Sequence, residues 1–510
     1  MIALFIAPVL VPNATGDRSF RVWCPGGGCF ERKTAGLLRS GLRTTSLFLH
    51  MKSVVLLGIL AGTLLVSPLP AQEFKAGVGR SDITPEGPIW LAGYAGRDRP
   101  SEGVDQHIFV KALALQDPAG AATLILTADT IGTPRWFNDA LAERIEKELK
   151  VPRERFLFAC SHSHTTPVVH GCLKDMYGLE GQTAAVVENY SKTFLQKSFE
   201  AAQSALNSLE PAKLSYAKSE CFIMGNRRQF GPKGPPGFGI NPNGLVDHEV
   251  PVLRVDHPDG TLKAVVFGCA CHNTTPGQAY QISGDWAGYA QADLEQTYAG
   301  STALFITGCG ADANPNPRGN MTLARAHGLE LAGAVARALS EQGRPVKGDI
   351  RASFDRASLP LEKTPAASYY EAKATEKPAA TQRYARRLLG LLAKGDPLMT
   401  QYDAPVQVLR FGDTFTLVAM SGEVVVDYAY RLRREMPDER VWAAGYCNDV
   451  FAYVPSMRIL TEGGYEADSS LIYYGFPTRF APAVEDTLVG KVLELSRKVG
   501  ANVPEPPKKK

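Results

Sequence analysis

The chain has 510 residues, 45% of them hydrophobic and 21% charged, with a formal net charge of +3. The first fifty residues carry six Lys/Arg against two Asp/Glu, a surplus of +4 that leaves −1 for the rest, so no nucleic-acid partner is expected. Seven cysteines follow that segment, an odd number whose spacings form neither a disulfide framework nor a zinc knuckle. They are read as small buried hydrophobes, with Cys160, Cys269, Cys271 and Cys309 unpaired beneath the site described below.

Residues 51–72 read Met51-Lys52, an apolar run over 54–66, then Ser67-Pro68-Leu69-Pro70-Ala71-Gln72. A basic start, a short apolar core and a small residue at the cut make a secretory signal peptide starting at Met51, and the run is too short to span a bilayer comfortably. Export to the periplasm or beyond the cell follows. The alternative, a retained membrane anchor, is opposed by Pro68 and Pro70. Residues 1–50, rich in Arg and Gly without a sustained period, are read as a leader or disordered extension.

Beyond the signal, about 440 residues are enough for a large core. Runs at 109–115 and 123–128 are apolar and β-branched, separated by the turn Asp117-Pro118-Ala119-Gly120, and predict neighbouring strands. A helix is predicted over 136–149, with Phe137, Leu141, Ile145 and Leu149 at helical spacing and Val151-Pro152 as its stop. A buried strand at 156–159 then leads into a polar loop and a second helix over about 184–209. The same rhythm recurs with a strand at 264–270 and a helix at 285–298, and again with 303–307 and 321–339. Residues 226–246 are Gly/Pro-dense and are read as a long surface loop or lid without regular structure. Residues 364–396 are helical with 384–392 amphipathic, and the Pro/Lys-rich tail at 501–510 is expected to be disordered. The architecture expected is α/β, a multilayer sandwich of mixed β-sheets flanked by helices, with 74–500 as one catalytic domain and its site on loops beyond strand ends.

Four such loops carry metal-ligand chemistry: Ser161-His162-Ser163-His164, Cys271-His272-Asn273-Thr274, Ser421-Gly422-Glu423 and Ala452-Tyr453-Val454-Pro455. Each offers a nitrogen or oxygen donor just after a strand-like run. Catalytic zinc takes such donors and keeps one position for water, whose pKa falls to about 7. A lone His-x-His is as often a hydrogen-bonded loop, but only nine histidines occur here and three stand in two of these loops. For Tyr453 a pocket-wall aromatic is the plain alternative.

These motifs, in this order, resemble the neutral ceramidase family of secreted zinc amidases, which split N-acyl sphingosines. Besides the four loops, the resemblance rests on Asp82-Ile83-Thr84, Gly93-Tyr94, Asn226-Arg227, Ser283-Gly284-Asp285, Asp312-Ala313-Asn314-Pro315-Asn316 and Tyr465-Glu466. It implies Zn²⁺ held by His162, His272, Glu423 and Tyr453, with His164 as general acid/base and Tyr465 and Arg227 stabilising the oxyanion or orienting the substrate. An Arg227-Arg228 pair in a Gly/Pro loop is also commonly just solvated. Asp285 either orients His272 or caps the helix after it.

The family's serine in the Asp-Val-Ser-Pro-Asn pattern is Asn314 here, an amide that bonds hydrogen but cannot act as nucleophile. The substrate implied is ceramide, a related N-acyl lipid drawn from a membrane surface, or a small amide. Two alternatives stand beside it: a secreted binding protein that has lost turnover, and a hydrolase of another amide, ester or lactone. No Gly-x-Ser-x-Gly elbow supports a serine hydrolase.

Overall fold

A computed structural model describes residues 73–505, all within the unit Pro68–Lys510. The predicted leader, signal peptide and last tail residues lie outside the described residues.

Along the first strands the side chains alternate between two apolar environments, as a period of two demands when both faces are covered. The strands are β1 (Lys75–Asp82), β2 (Phe109–Gln116), β3 (Ala122–Ala128) and β4 (Phe156–Cys160). They lie in the order β4-β3-β2-β1, with Glu210–Pro211 beyond β1; β3 and β4 are parallel and the other pairs antiparallel. Ala112, Ala114, Leu126 and Phe158 pack on one side, with Phe137 of helix α1 (Arg135–Arg144) and Phe194 of helix α2 (Gly181–Asn207). Leu113, Leu115, Ile125 and Leu157 pack on the other. Helix α2 runs so close to β1 that a Cβ on Gly79 would stand 2.0 Å from the Ala201 carbonyl oxygen, so only glycine fits there.

A second sheet repeats the scheme with β5 (Lys213–Glu220), β6 (Glu249–Asp256), β7 (Leu262–Cys269) and β8 (Thr302–Thr307). Its order is β8-β7-β6-β5, with β7 and β8 parallel. Val265, Phe267 and Phe305 face Trp286 of helix α3 (Asp285–Thr297) and Leu331 of helix α4 (Met321–Ser340). A third sheet holds β9 (Ile350–Pro360), β10 (Gln401–Phe411), β11 (Phe415–Met420) and β12 (Val441–Ala444), with β11 and β12 parallel. Its Val406, Val408 and Val418 pack with Leu488 and Val492 of the helix Val484–Lys498.

The remaining faces of all three sheets meet. Leu157 and Ile125, Val266 and Ile306, and Leu417 and Trp442 belong to one buried cluster. The described residues therefore form a mixed α/β sandwich of several sheets with helices outside, and among them no sheet closes into a barrel. Among the described residues no helix is long and apolar enough to cross a membrane.

Most predicted elements appear within a few residues of their expected bounds. One expectation is corrected: the Gly/Pro-dense stretch does hold regular structure, because Arg228–Gln229 and Gly237–Phe238 pair antiparallel. The turn glycines and prolines close a short hairpin there instead of leaving a free loop. All seven described cysteines are buried and unpaired.

Candidate metal centre

Each sheet contributes its parallel edge pair to one place. Backbone bridges join these ends, Ala159 to Cys447, Gly308 to Ala444 and Ser163 to Asn273, so the loops leaving β4, β7, β8 and β12 are held together. After β4 the chain turns sharply, with His162 at φ 62° and its N–H on the Thr130 carbonyl at 2.9 Å. A non-glycine residue held there costs on the order of 1–3 kcal/mol, which marks an over-determined position. Beyond β7, the His272 N–H donates to the Ala313 carbonyl at 3.1 Å. Beyond β11, Glu423 pairs in parallel register with Tyr453 through the short strands Glu423–Val424 and Tyr453–Val454.

The three imidazoles are oriented alike. Nδ1 of His162 donates to the Ile131 carbonyl at 2.5 Å, Nδ1 of His272 to the Gly310 carbonyl at 3.0 Å, and Nδ1 of His164 to the Gly93 carbonyl at 3.1 Å. With the proton fixed on Nδ1, every Nε2 presents a lone pair. Gly93 has φ 96°, and a Cβ there would sit 2.2 Å from the His164 Nδ1, so its carbonyl can reach the ring only as glycine.

Those lone pairs converge. The candidate ligand atoms of His162, His164 and His272 lie within 4.8 Å of one another, and all three residues are buried. Nε2 of His162 is 3.2 Å from Nε2 of His164. Oε2 of Glu423 is 3.1 Å from Nε2 of both His162 and His272, and the Tyr453 hydroxyl is 3.1 Å from Nε2 of His272. Facing acceptors at these distances repel unless a cation or proton lies between them, and donors separated by roughly 3 to 4 Å are what ligand bonds of about 2 Å produce. The residues present fit a zinc ion. Burial, with Arg227 next in effect, lowers the His272 pKa to about 4. Burial, then His162 and His272, takes His164 well below its ordinary value. Both rings are therefore neutral near pH 7, the form that binds metal.

The residues predicted to act on substrate stand around this cluster. His164, Arg227, Asn314, Tyr453 and Tyr465 line one cavity of about 370 Å³. Arg227 donates through Nη2 to the Tyr453 hydroxyl at 3.1 Å, and its Nη1 lies 3.2 Å from Nε2 of His272. Its Nε donates to Oε1 of Glu466 at 2.8 Å. Arg227 and Arg228 are both buried, and Glu466 pairs with each, so the solvated-pair reading is overturned by a buried carboxylate. The Tyr465 ring lies edge-on to Tyr453 at 5.3 Å. Asp285 accepts the N–H groups of Thr275 at 2.8 Å and Trp286 at 2.6 Å, while His272 Nδ1 is taken by Gly310. Of its two readings, helix start is the one the geometry supports.

Several contributors carried no sequence signal. Tyr474 donates its hydroxyl to Oε1 of Glu423, leaving Oε2 toward the imidazoles. The Tyr446 ring, itself at φ 56°, lies 4.5 Å from that of His162. Arg97 donates to the His164 carbonyl at 2.8 Å and bonds the Ala92 carbonyl, bracing the segment that orients His164.

A model of the neutral/alkaline non-lysosomal ceramidase family, N-terminal part, matches residues 74–329. That stretch holds His162, His164, Arg227, His272 and Asn314, whereas Glu423, Tyr453 and Tyr465 lie beyond it. No curated protein matches the chain. Among solved structures, a neutral ceramidase from Pseudomonas aeruginosa superposes with a TM-score of 0.66 at 18% identity, over 86% of this chain and 76% of that one. A structure described as a ceramidase complexed with C2 gives a TM-score of 0.65 at 17% identity, over 86% and 77%. At these identities the likeness establishes the fold.

Proposed function

Because this chain belongs to the neutral/alkaline non-lysosomal ceramidase family, we propose that it is an exported zinc-dependent amidohydrolase acting on the N-acyl bond of ceramide or a related N-acyl compound. The observation that carries the reading is the set of three imidazoles, each tied through Nδ1 to a backbone carbonyl, whose Nε2 atoms converge beside the Glu423 carboxylate. His162, His272, Glu423 and Tyr453 would hold the ion. Bound there, zinc would supply Lewis acidity and an acidified water.

The chain's own groups account for the rest of R–CO–NH–R′ + H₂O → R–COO⁻ + ⁺H₃N–R′. His164 is neutral, buried and anchored by Gly93, so its Nε2 can take a proton from the attacking water and return it to the leaving nitrogen as the C–N bond breaks. Tyr465, its phenol raised in pKa by burial and so protonated, can donate to the oxygen of the former carbonyl. Arg227, clamped by Glu466, holds the Tyr453 hydroxyl in place. A lipid substrate is favoured by the exposed apolar side chains Phe230, Phe238 and Ile240 on the 226–246 segment, of which Phe238 lines the cavity, and these suit contact with a membrane surface. The domain proposed for this chemistry is residues 74–500.

The purified protein is expected to hydrolyse N-acylsphingosine to fatty acid and free base, to lose that activity on chelation, and to regain it on adding zinc. Full activity after exhaustive chelation, with no metal left, would overturn the zinc-dependent reading. Tight zinc binding with no turnover of any amide, ester or lactone would favour the binding-protein alternative.

A further inference from the structure

The cavity beside the imidazoles is unusual in its charge. Among its lining residues there is no carboxylate, and the only formally charged side chains are Arg227 and Arg318. Arg227 is paired with Glu466 at 2.8 Å with both groups buried. Arg318 has no acidic partner within 4.0 Å among the described residues; its single side-chain hydrogen bond runs from Nη1 to the Thr274 hydroxyl at 3.2 Å.

Two further donors on the same cavity wall are left free. Thr274 spends its hydroxyl proton on Oδ1 of Asn314 at 3.3 Å, and Nη1 of Arg227 approaches the same oxygen at 3.4 Å. These two donors fix the orientation of the carboxamide, because an arginine can only donate. Nδ2 of Asn314 then bonds no described residue. The Tyr94 hydroxyl, also on the cavity wall, is buried with no partner. A guanidinium whose one acceptor is a hydroxyl, together with an amide N–H and a phenol O–H that have none, line one cavity and call for an acceptor-rich ligand, which an oxyanion satisfies best.

We propose that this wall is an oxyanion subsite, and that the preferred substrate is an N-acyl compound bearing a carboxylate beside the scissile amide, an N-acyl amino acid, held by Arg318, Asn314 and Tyr94. The inference rests on the amidohydrolase reading above. It gives Asn314 a positive role: its Nδ2 adds an amide donor to the wall.

The test compares two substrates that share an acyl chain and differ in charge, N-lauroylglycine and N-lauroylethanolamine, with the zinc-loaded full chain. The ratio of their kcat/KM values is expected to favour the glycine conjugate by about tenfold or more, through KM, as charge-assisted hydrogen bonds allow. In Arg318→Ala the ratio should collapse toward one, and Arg318→Lys should recover part of it, since a lysine keeps the charge without the fork. Arg318 is exposed, and circular dichroism would verify that the variants fold. A wild-type ratio near one, or a ratio unmoved in Arg318→Ala, would overturn the subsite while leaving the amidohydrolase standing. Failure to cleave either conjugate or N-acylsphingosine would remove the amidohydrolase reading and the subsite with it.

Discussion

Replacing His164 by alanine is expected to lower kcat by about 10² to 10⁴ while zinc content stays near that of the wild type. The ring is held by one anchor, Nδ1 on the Gly93 carbonyl, and braced behind by Arg97 on its own carbonyl. Its Nε2 is free to carry a proton, and burial keeps it neutral so that it can accept one. Four other donors remain to hold metal when it is removed: Nε2 of His162 and His272, Oε2 of Glu423 and the Tyr453 hydroxyl. Metal analysis beside steady-state kinetics separates the roles. Loss of zinc together with activity would make His164 a ligand, a role its 3.2 Å approach to His162 also permits.

The second large effect is on stability. Glu466 bridges two buried guanidiniums, pairing with Arg227 through Oε1 and with Arg228 through Oε2. Arg228 retains Glu462 at 3.0 Å, but among the described residues Arg227 has no other carboxylate within salt-bridge distance. Breaking a buried pair by removing one partner costs about 3–5 kcal/mol, because the remaining charge stays desolvated. Glu466→Ala should therefore lower the urea midpoint by that equivalent and loosen the Tyr453 hydroxyl that Arg227 holds. Glu466→Gln, which keeps hydrogen-bond acceptance, should lose less. A midpoint within about 0.5 kcal/mol of wild type for Glu466→Ala would contradict the pairing.

Much of this was legible one segment at a time. The apolar, β-branched runs at 109–115 and 123–128 predict neighbouring strands, which they form, and His162 and His272 stand out because each follows an apolar run. Which strands would neighbour one another was not legible, since β7 pairs with β8 across helix α3 and β11 with β12 across the helix Asp427–Glu435. The Arg227-Arg228 pair read equally well as solvated because its partner, Glu466, lies 239 residues from Arg227. The anchors of the imidazoles are backbone carbonyls of Ile131, Gly310 and Gly93, which no side-chain pattern announces. Tyr474 was invisible for a related reason: a tyrosine in a short helix carries no mark of the glutamate it bonds.

We propose that these loops hold a zinc ion through His162, His272, Glu423 and Tyr453. The most direct measurement is the zinc content of the purified protein by elemental analysis, wild type beside His272→Ala. His272 is the residue whose Nε2 lies 3.1 Å from both the Glu423 carboxylate and the Tyr453 hydroxyl, so its loss should open the cluster at its middle. About one zinc per chain is expected in the wild type and essentially none in His272→Ala. Equal zinc in both proteins, or none in an active wild type, would contradict it.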